Sequence, residues 1–527
     1  MRVGQRAALL LLMLVQAGRP SPADDATVRC DFATVEDAGN MTDKEFASLR
    51  AAQKPLLLKG ATTHWGARSL WKHVAELEKR LGSTLLPLQE QELIARGEAF
   101  RQPAGFTTLS GWRAHGGGSV NVIIFDANVS AGILPQLVPD LRPMPQPLLT
   151  VMRFPIFSLG AAAPQNGPAK QIDIDGGGLA FHNHDENWLA LVQGRKQWFV
   201  QPAARAEPPA SAYQRIPAST LQHEADDSSS AMQQCTQVAG DIVYLPTSWW
   251  HATYNLPQHP ADGGDGWVVG IGGMGDSTIG SGAVVLGDLE LLEALWKVEG
   301  PNLLVRANVH GESAFHRAAT PTILHWLQQH GVDLSVPTAG QGTALIHLAA
   351  MQGNVDVMAW LLEQEKGNEA AQQQLLRRPT VATGQEPVHY AAAGRSLRAL
   401  RWLVAHGADL AAPARNGQTP FHLAASAGDE VVLTWLLLEQ TSSGVDINHP
   451  RNDGATAAHF AASTAHVYGS RVLRWLAAHG CDMIAQMTAA SGGQRPIDIV
   501  LASNNGSKES EEALKWLRAW DQDADEL

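Results

Sequence analysis

Positive charge, cysteine and long apolar runs are all scarce in this sequence of 527 residues. Lysine and arginine number 39 against 52 aspartates and glutamates, giving a formal net charge of −13. That balance argues against a surface that binds the phosphates of nucleic acid. Apart from a short run near the N-terminus, no apolar stretch approaches the ~20 residues that a membrane-spanning helix needs. We therefore expect neither a nucleic-acid partner nor a membrane span.

Both ends of the sequence carry patterns typical of secretory proteins. Arg2 and Arg6 accompany the apolar run Ala7–Val15, which is long enough for a signal peptide, predicted over residues 1–23, and too short for a membrane span. The alternative is an apolar tail of a cytosolic protein. At the other end, Ala524–Leu527 (ADEL) is one residue away from the K-D-E-L retention signal. Together the two patterns predict residence in the lumen of the endoplasmic reticulum.

Three histidines stand on two segments that resemble β-strands. His182 and His184 belong to an extended F-H-N-H segment, in which alternation sends both rings to the same face. In the later segment H-A-T-Y-N, the same alternation groups His251, Thr253 and Asn255 on one side. Two strands of a small barrel would bring the three imidazoles together. Three protein ligands with further positions left open are typical of a catalytic metal site.

The residues around these histidines resemble the Jumonji C (JmjC) branch of the cupins. F-H-x-H is followed by G-R-K-x-W-F, a Cys-Thr pair, a Gly-Asp turn and W-W-H-A-T-x-N-L, and the resemblance extends upstream through Lys54–Gly60 and Trp65. It covers residues 30–275 and is greatest to JmjC proteins of the endoplasmic reticulum lumen. The resemblance implies a double-stranded β-helix with helical support. For most of the family it also implies Fe(II)- and 2-oxoglutarate-dependent dioxygenase chemistry.

The resemblance implies that His182, His184 and His251 are the metal ligands. Most active members have an aspartate where this chain has His184, and here the carboxylate has moved one position, to Asp185. Strict alternation turns Asp185 to the opposite face, whereas a β-bulge would make it the ligand in place of His184. Three neutral imidazoles bind a divalent metal, but they lower the negative charge of the site and also suit zinc.

Lys196 is the residue that the resemblance assigns to the distal carboxylate of 2-oxoglutarate. It follows a Gly-Arg turn and shares a strand face with Trp198 and Val200, and a cation inside a barrel needs an anion. The alternative is a solvated lysine beside a hairpin turn. Thr253 and Asn255 either contact the cosubstrate as well or satisfy polar groups of the barrel.

Only three cysteines are present, at positions 30, 235 and 481. A secretory route permits disulfides, and Cys30 with Cys235 is the pairing available within the barrel domain. It would tether the N-terminal segment to the strand before Asp241. Cys481 occupies the alanine-like position of an H-G-A-D turn and is expected to be a small packed residue.

The second half of the sequence carries an internal repeat. Units such as G-Q-T-P-F-H-L-A-A resemble the ankyrin signature, and their histidines are spaced by 31, 42, 33 and 37 residues, bracketing the ankyrin period of about 33. The histidines in question are His316, His347, His389, His422 and His459. We expect them to hydrogen-bond backbone between stacked units, because residues repeating once per unit cannot converge on one ion. The tryptophans of the second helices are expected to pack between repeats.

The predicted organisation has five segments. A signal peptide (1–23) precedes a JmjC/cupin-like domain (24–280), a linker helix (281–305), an all-α ankyrin solenoid of five repeats plus a cap (306–520) and an acidic tail (521–527). Within the first domain, the pattern predicts helices over 43–49 and 69–81 and a buried strand over 120–125. Three glycines, 176–178, are expected to allow a sharp turn into the first histidine strand.

Two functions of different class compete. In the first, which we prefer, the chain is an Fe(II)/2-oxoglutarate-dependent dioxygenase that hydroxylates a protein recruited by the repeats. In the alternative, the barrel is catalytically silent and forms a luminal adaptor with the repeats. His184 in place of aspartate favours the adaptor, whereas Lys196 and the surroundings of His251 favour the enzyme.

Overall fold

The computed structural model divides into two compact units, Met1–Val309 and His310–Leu527. The residues that the structure describes are 29–36, 38–82, 86–88, 105–114, 122–124, 133–134, 136–161, 178–202, 218–227, 230–256, 266–305, 307–308, 311–318, 320–438, 445–465, 470–503 and 508–525. The predicted signal peptide and Gly176 and Gly177 lie outside them. Within these ranges no helix combines the length and the apolar character needed to cross a bilayer.

The first unit is rich in β-structure. Its strands are β1 (Ala33–Val35), β2 (Leu56–Leu58), β3 (Leu86–Leu88), β4 (Gly105–Thr107), β5 (Val122–Ile124), β6 (Phe154–Ala161), β7 (Gly178–His182), β8 (Asn187–Gln193), β9 (Arg195–Gln201), β10 (Gln233–Val238), β11 (Ile242–Leu245), β12 (Trp250–Leu256) and β13 (Trp267–Met274). Its α-helices are α1 (Asp43–Ala51), α2 (Ala67–Leu70), α3 (Val74–Leu81), α4 (Leu109–Ala114), α5 (Ala218–Asp226), α6 (Ile279–Leu286), α7 (Leu289–Glu299) and α8 (Asn302–Val305).

Two sheets enclose the core of this unit. One has the strand order β1-β2-β11-β8-β13-β6-β5 and the other β10-β9-β12-β7, and β3 pairs with β4 separately. Apart from the parallel pair β1–β2, the pairings are antiparallel. Together with the helical second unit, these sheets confirm the predicted β-rich domain followed by an all-α repeat.

Strand β9 shows how the sequence selects the inner face of the four-stranded sheet. Trp198 and Val200 belong to a buried apolar cluster shared with strands of the seven-stranded sheet. The intervening Phe199 packs in a different cluster, against helix α5 through Leu221 and Ala225. Successive strand residues point to opposite faces, so Lys196 lies on the same face as Trp198 and Val200.

Helices α1–α3 support the barrel, as predicted, with one difference in extent. Helix α1 begins at a capping box in which Glu45 and Thr42 satisfy each other's backbone N–H groups. The helix predicted over 69–81 is instead divided into α2 and α3, with a break at residues 71–73. Trp71 lies in this break and donates its indole N–H to the buried Asp140 (2.9 Å). Tertiary contact therefore overrides helical periodicity at this position.

A disulfide joins Cys30 to Cys235, on strand β10. The flanking backbone continues the pairing, because Asp31 N donates to Gln234 O and Thr236 N donates to Arg29 O, both at 2.8 Å. The N-terminal segment is thereby tethered to the edge strand of the four-stranded sheet, as the sequence allowed. Cys481 is a buried free thiol in the second unit, and burial raises its pKa to about 12.

The segment predicted as a single linker helix contains the greater part of α6 and all of α7 and α8. Gly287 ends α6 with a left-handed φ of 77°, and the Asp288 side chain then caps α7 by accepting from Leu291 N. Gly300, with φ 59°, ends α7 in turn. The two glycines bound helix α7 on either side, and all three helices belong to the first unit.

The second unit is helical. Its α-helices are α9 (Pro321–Gln329), α10 (Leu345–Gln352), α11 (Val355–Gln364), α12 (Glu369–Leu376), α13 (Pro387–Ala393), α14 (Leu397–Ala405), α15 (Pro420–Ala427), α16 (Glu430–Leu438), α17 (Ala457–Ser463), α18 (Arg471–Ala478), α19 (Pro496–Ala502) and α20 (Lys508–Asp525). In the first repeat a 3-10 helix, Ala314–Arg317, replaces the first α-helix. Helix α12 lies in the insertion that lengthens one spacing between repeats.

Three of the repeat histidines, His347, His389 and His459, hydrogen-bond a backbone carbonyl of the next unit, as predicted. In His347 the ring Nδ1 accepts from the backbone N–H of Ala344 (3.1 Å), and Nε2 donates to Arg378 O (2.7 Å). His389 accepts from Glu386 N (3.1 Å) and donates to Gln418 O (3.0 Å) in the same way. Both rings are fully buried. These histidines therefore have a structural role in the stack.

Candidate metal centre

Three imidazoles from the first unit meet at one point. The ring of His182 lies 4.2 Å from that of His251 and 5.3 Å from that of His184, centroid to centroid, and the last two are 4.9 Å apart. One ring nitrogen from each residue lies within 4.8 Å of the other two. His182 and His251 are buried, and His184 is partly buried. Three nitrogens at this separation are close enough to share one ion.

The pairing of β7 with β12 places His182 beside His251. The two residues are direct partners across the strands, and Leu179 is the partner of Thr253. Three steps along β7 thus match two along β12, which is a β-bulge. The bulge lies before His182, and its extra residue brings His182 to the same face as His251.

His184 reaches the cluster by a different route from the one predicted. Strand β7 ends at His182, so His184 belongs to the turn that leads into β8 and not to an extended F-H-N-H strand. The turn is held by Ser248 N, which donates to His184 O (2.8 Å). Ser248 has a φ of 64°, an uncommon conformation for a residue with a side chain. Contact between two turns, and not strand alternation, directs this ring.

Hydrogen bonds fix the tautomer of two of the rings. Nδ1 of His184 lies 2.7 Å from Asp185 O, and Nδ1 of His251 lies 3.0 Å from Trp249 O. A carbonyl oxygen can only accept, so each Nδ1 carries the proton and each Nε2 carries the lone pair. A backbone carbonyl on the outer nitrogen is the usual partner of a metal-binding histidine.

The surroundings also favour the neutral form of these rings. Burial lowers the pKa of His251 well below its ordinary value, and the neighbouring His182 and His184 lower it further. Burial lowers the pKa of His184 as well, although the hydrogen bond to Asp185 O opposes the shift. Since only neutral imidazole binds a metal, the site is kept in a binding-competent state.

Asp185, the alternative to His184, lies elsewhere. Its side chain is exposed, and its carboxylate is not among the ligand atoms that converge. A β-bulge between His184 and Asp185 would have made Asp185 the ligand. The bulge that the structure shows lies within β7, before His182. Of the two residues, the structure brings His184 to the cluster.

The three residues considered for the cosubstrate lie on the same inner face as His251. Lys196 is the cross-strand partner of Asn255, and Trp198 is the partner of Thr253. Lys196, Thr253 and Asn255 are all at least 96% buried, so Lys196 is not the solvated lysine of a hairpin. The Thr253 hydroxyl oxygen accepts from Leu179 N (3.1 Å), the barrel contact that the sequence left as an alternative.

Gly178 opens β7 in a conformation that excludes a side chain. Its φ is 144°, and a Cβ atom would lie 1.9 Å from the carbonyl oxygen of Thr253. We expect Gly178→Ala to lower the free energy of unfolding by more than about 2 kcal/mol, measured by urea denaturation followed by circular dichroism. Gly39→Ala is the control, because no atom lies within 4 Å of its Cβ position. Equal losses for the two variants would contradict this reading of the strand.

A buried ionic network adjoins the histidine turn, and sequence reasoning missed it. The Glu186 carboxylate accepts from Arg50 Nε (2.7 Å) and from the Tyr244 hydroxyl (2.9 Å). Arg50 also donates to Asp276 (2.9 Å). Burial is the largest single influence on Arg50 and lowers its pKa, but the hydrogen bonds and charge interactions with its acidic partners together outweigh burial, so the pKa is raised. The one signal in the sequence was an acidic residue, Glu186, directly before the buried strand β8, where a charged side chain needs a partner.

Comparisons with known proteins find relatives of two kinds. The chain is 34% identical over 83 residues to human JmjC domain-containing protein 8, which is 15% of this chain and 31% of the relative. It is 27% identical over 237 residues to the rat JmjC domain-containing protein 8, which is 42% of this chain and 78% of the relative. The chain thus spans about a third of the human relative's length.

The family model for ankyrin repeats (3 copies) matches two overlapping ranges, residues 365–450 and 388–487. The rat nuclear factor NF-kappa-B p105 subunit is 28% identical over 182 residues, which is 34% of this chain and 18% of that protein. The chain is thus similar in part to JmjC domain-containing proteins, and its second unit carries ankyrin repeats. Ankyrin repeats indicate interaction with other proteins.

Proposed function

We propose that the JmjC domain binds a divalent metal through His182, His184 and His251 and acts as an Fe(II)- and 2-oxoglutarate-dependent oxygenase. The observation that carries the proposal is the convergence of the three rings, two of them with Nε2 selected as the lone-pair nitrogen. The reaction proposed is hydroxylation of a protein, with the ankyrin repeat recruiting it.

The donor set fits a divalent transition metal. Imidazole suits iron, zinc, copper and nickel alike, and three protein ligands leave positions for other molecules. When bound, Fe(II) with 2-oxoglutarate and oxygen supplies the oxidising power for the reaction. The chain's own contribution is to hold three neutral imidazoles in place and to keep them largely shielded from water.

Lys196 supports the cosubstrate part of the proposal. It stands four residues before Val200, the cross-strand partner of His251, which is about 13 Å along the strand. A lysine side chain and a five-carbon dicarboxylate can together span that interval. A buried ammonium group favours an anionic partner, and the position suits the distal carboxylate of 2-oxoglutarate. Asn255, directly opposite, offers an amide to the same carboxylate.

One observation favours a second function, that of a catalytically silent adaptor. No carboxylate joins the three converging nitrogens among the described residues, whereas the usual iron triad of oxygenases contains one. In that case the ankyrin repeat would be the working part of the chain, and the JmjC domain would be a metal-stabilised or metal-free support.

Metal analysis combined with succinate release distinguishes the two functions. The full chain, reconstituted anaerobically with Fe(II), is assayed with 2-oxoglutarate beside His182→Ala, Lys196→Ala and the control His223→Ala, which alters an exposed histidine of α5. The oxygenase predicts that His182→Ala loses iron and succinate release, and that Lys196→Ala retains iron but loses succinate release. Iron bound by the parent chain without succinate release would support the adaptor.

We further propose that the protein resides in the lumen of the endoplasmic reticulum. The disulfide between Cys30 and Cys235 supports an oxidising compartment, and the sequence of Ala524–Leu527 resembles a retention signal. Deleting these four residues should move the protein into the medium of expressing cells, measured by immunoblot against the full chain. Unchanged retention would contradict the role given to them.

A further inference from the structure

The geometry points to Arg50 as a positioning residue for the metal centre: through Glu186 it fixes the turn that directs His184. This inference rests on the proposed metal site, and it concerns a residue 134 positions away from His184 in the sequence. Arg50 lies in the last turn of α1, an element that contributes none of the three histidines.

The need for an anchor follows from where His184 lies. His182 and His251 are on paired strands, whereas His184 follows the end of β7 and has no ladder to hold it. Its turn runs only from Asn183 to Glu186 before β8 begins. Because the segment is so short, the position of Glu186 restricts the backbone conformation of the turn and therefore the direction of the His184 ring.

Glu186 is hydrogen-bonded through its backbone N–H, its carbonyl oxygen and its carboxylate. Its backbone N–H donates to the Thr247 hydroxyl (3.2 Å), and its carbonyl accepts from Gly275 N (2.8 Å). Its side chain accepts from Arg50 and from Tyr244, as described above. The carboxylate is largely buried, with 10% of the side chain exposed, so its charge depends on the planar fork of the arginine.

The same contacts link the two turns that carry the metal ligands. Thr247 and Ser248 precede His251 by four and three positions, and both hydrogen-bond the turn of His184 and Glu186. Helix α1 is packed against this assembly through Phe46, whose ring meets that of Tyr244 edge-on at 5.5 Å. Arg50 and Tyr244 thus stabilise the turn from outside, and displacement of Glu186 would be transmitted to His184 over two residues.

The test is the binding of Co(II), titrated into the metal-free full chain and followed by its visible absorption. The variants are Arg50→Lys, which keeps the charge but loses the fork, and Tyr244→Phe, which removes one hydroxyl. We expect Arg50→Lys to weaken Co(II) binding about 10- to 100-fold, the range for partners of metal ligands, and to alter the absorption spectrum. Tyr244→Phe should change both in the same direction but less.

Arg80→Lys is the matched control. Arg80 pairs with the buried Asp140 (2.7 Å), which also accepts from an aromatic side chain, Trp71. This pair resembles the Arg50 network in kind but adjoins none of the histidine turns. Arg80→Lys should lower the thermal unfolding midpoint and leave the Co(II) affinity and spectrum unchanged.

The outcomes separate the inference from the proposed function. If Arg50→Lys lowers the unfolding midpoint but binds Co(II) with the parent affinity and spectrum, Arg50 is merely structural and the inference is overturned, whatever the chain's activity. If the parent chain binds Co(II) but releases no succinate with iron, the oxygenase fails while the positioning role is still decided by the variants. If the parent chain binds no Co(II), both are overturned.

Discussion

His251→Ala is expected to weaken metal binding by more than about 100-fold, a larger loss than that for a partner of a metal ligand. The ring of His251 adjoins both other rings, 4.2 Å from that of His182 and 4.9 Å from that of His184, centroid to centroid. Without it, two nitrogens from a strand end and a turn are left, and neither a tetrahedral nor a facial site can form from them alone. The measurement is isothermal titration of the full chain with Co(II) and with Zn(II).

The substitution should leave the fold of the domain largely unchanged, so that a loss of metal binding can be assigned to the missing imidazole. The ring of His251 hydrogen-bonds only the nearby carbonyl of Trp249 among the described contacts, and its backbone pairing with Val200 does not depend on the side chain. His223→Ala serves as the control. Retention of parent affinity by His251→Ala, in a chain with parent circular dichroism, would contradict the three-histidine site.

The sequence predicted the inner face of the barrel because strand periodicity is a local property. Alternation grouped His251 with Thr253 along β12 and, separately, Lys196 with Trp198 along β9. The register of the two strands shows that these two groups share one face. The resemblance to JmjC proteins implied the double-stranded β-helix that contains these strands, but not which of them are paired. What could be predicted from the sequence was therefore which side chains share a face.

The route of His184 could not be predicted, because it depends on where a ladder ends. Nothing in F-H-N-H shows that β7 ends after His182, or that a bulge precedes it. The alternation rule named the right residue, His184, for the wrong reason, because this residue lies in a turn and not on a strand. Arg50 was missed for a related reason, since its partner Glu186 is 136 residues away and no local pattern joins them.

Hydrogen bonding distinguishes the metal-site histidines from those of the repeats. In the first unit the Nδ1 atoms of His184 and His251 face carbonyl oxygens and must donate. In the ankyrin repeat the Nδ1 atoms of His347 and His389 face backbone N–H groups and must accept. The repeats therefore select the opposite tautomer, with the proton on Nε2, where a metal would have to bind. Histidine thus has two roles in this chain, and the hydrogen-bond partner of Nδ1 shows which role a given residue has.

The ankyrin repeat is expected to lose stability steeply in acid, and this is the second large effect. Burial lowers the pKa of His347, His389 and His422 to about 4, from an ordinary value of 6.5. Between these values the unfolded chain binds more protons than the folded one, so falling pH favours unfolding. Stability is fully present above pH 6.5, is lost progressively below it, and reaches its lower limit near pH 4.

The magnitude follows from these pKa values. At pH 5 each of the three histidines is expected to have lowered the free energy of unfolding of the repeat by about 2 kcal/mol relative to neutral pH. Together they lower it by on the order of 6 kcal/mol. Domains are stable by only about 5–15 kcal/mol, so the repeat should open at mildly acidic pH. The physical reason is specific, because a proton added to Nδ1 would face a backbone N–H that already points at it.

Hydrogen exchange of the full chain at pH 7 and pH 5, followed by mass spectrometry, measures this locally in peptides that cover α10, α13 and α15. His389→Asn keeps an acceptor for Glu386 N but cannot take up the proton, so the pH dependence of exchange should fall by about a third. The control is His325→Asn, which alters an exposed histidine of α9 and should leave that dependence unchanged. Protection that is equal at the two pH values, after correction for intrinsic exchange rates, would mean that the buried imidazoles do not govern the stability of the repeat.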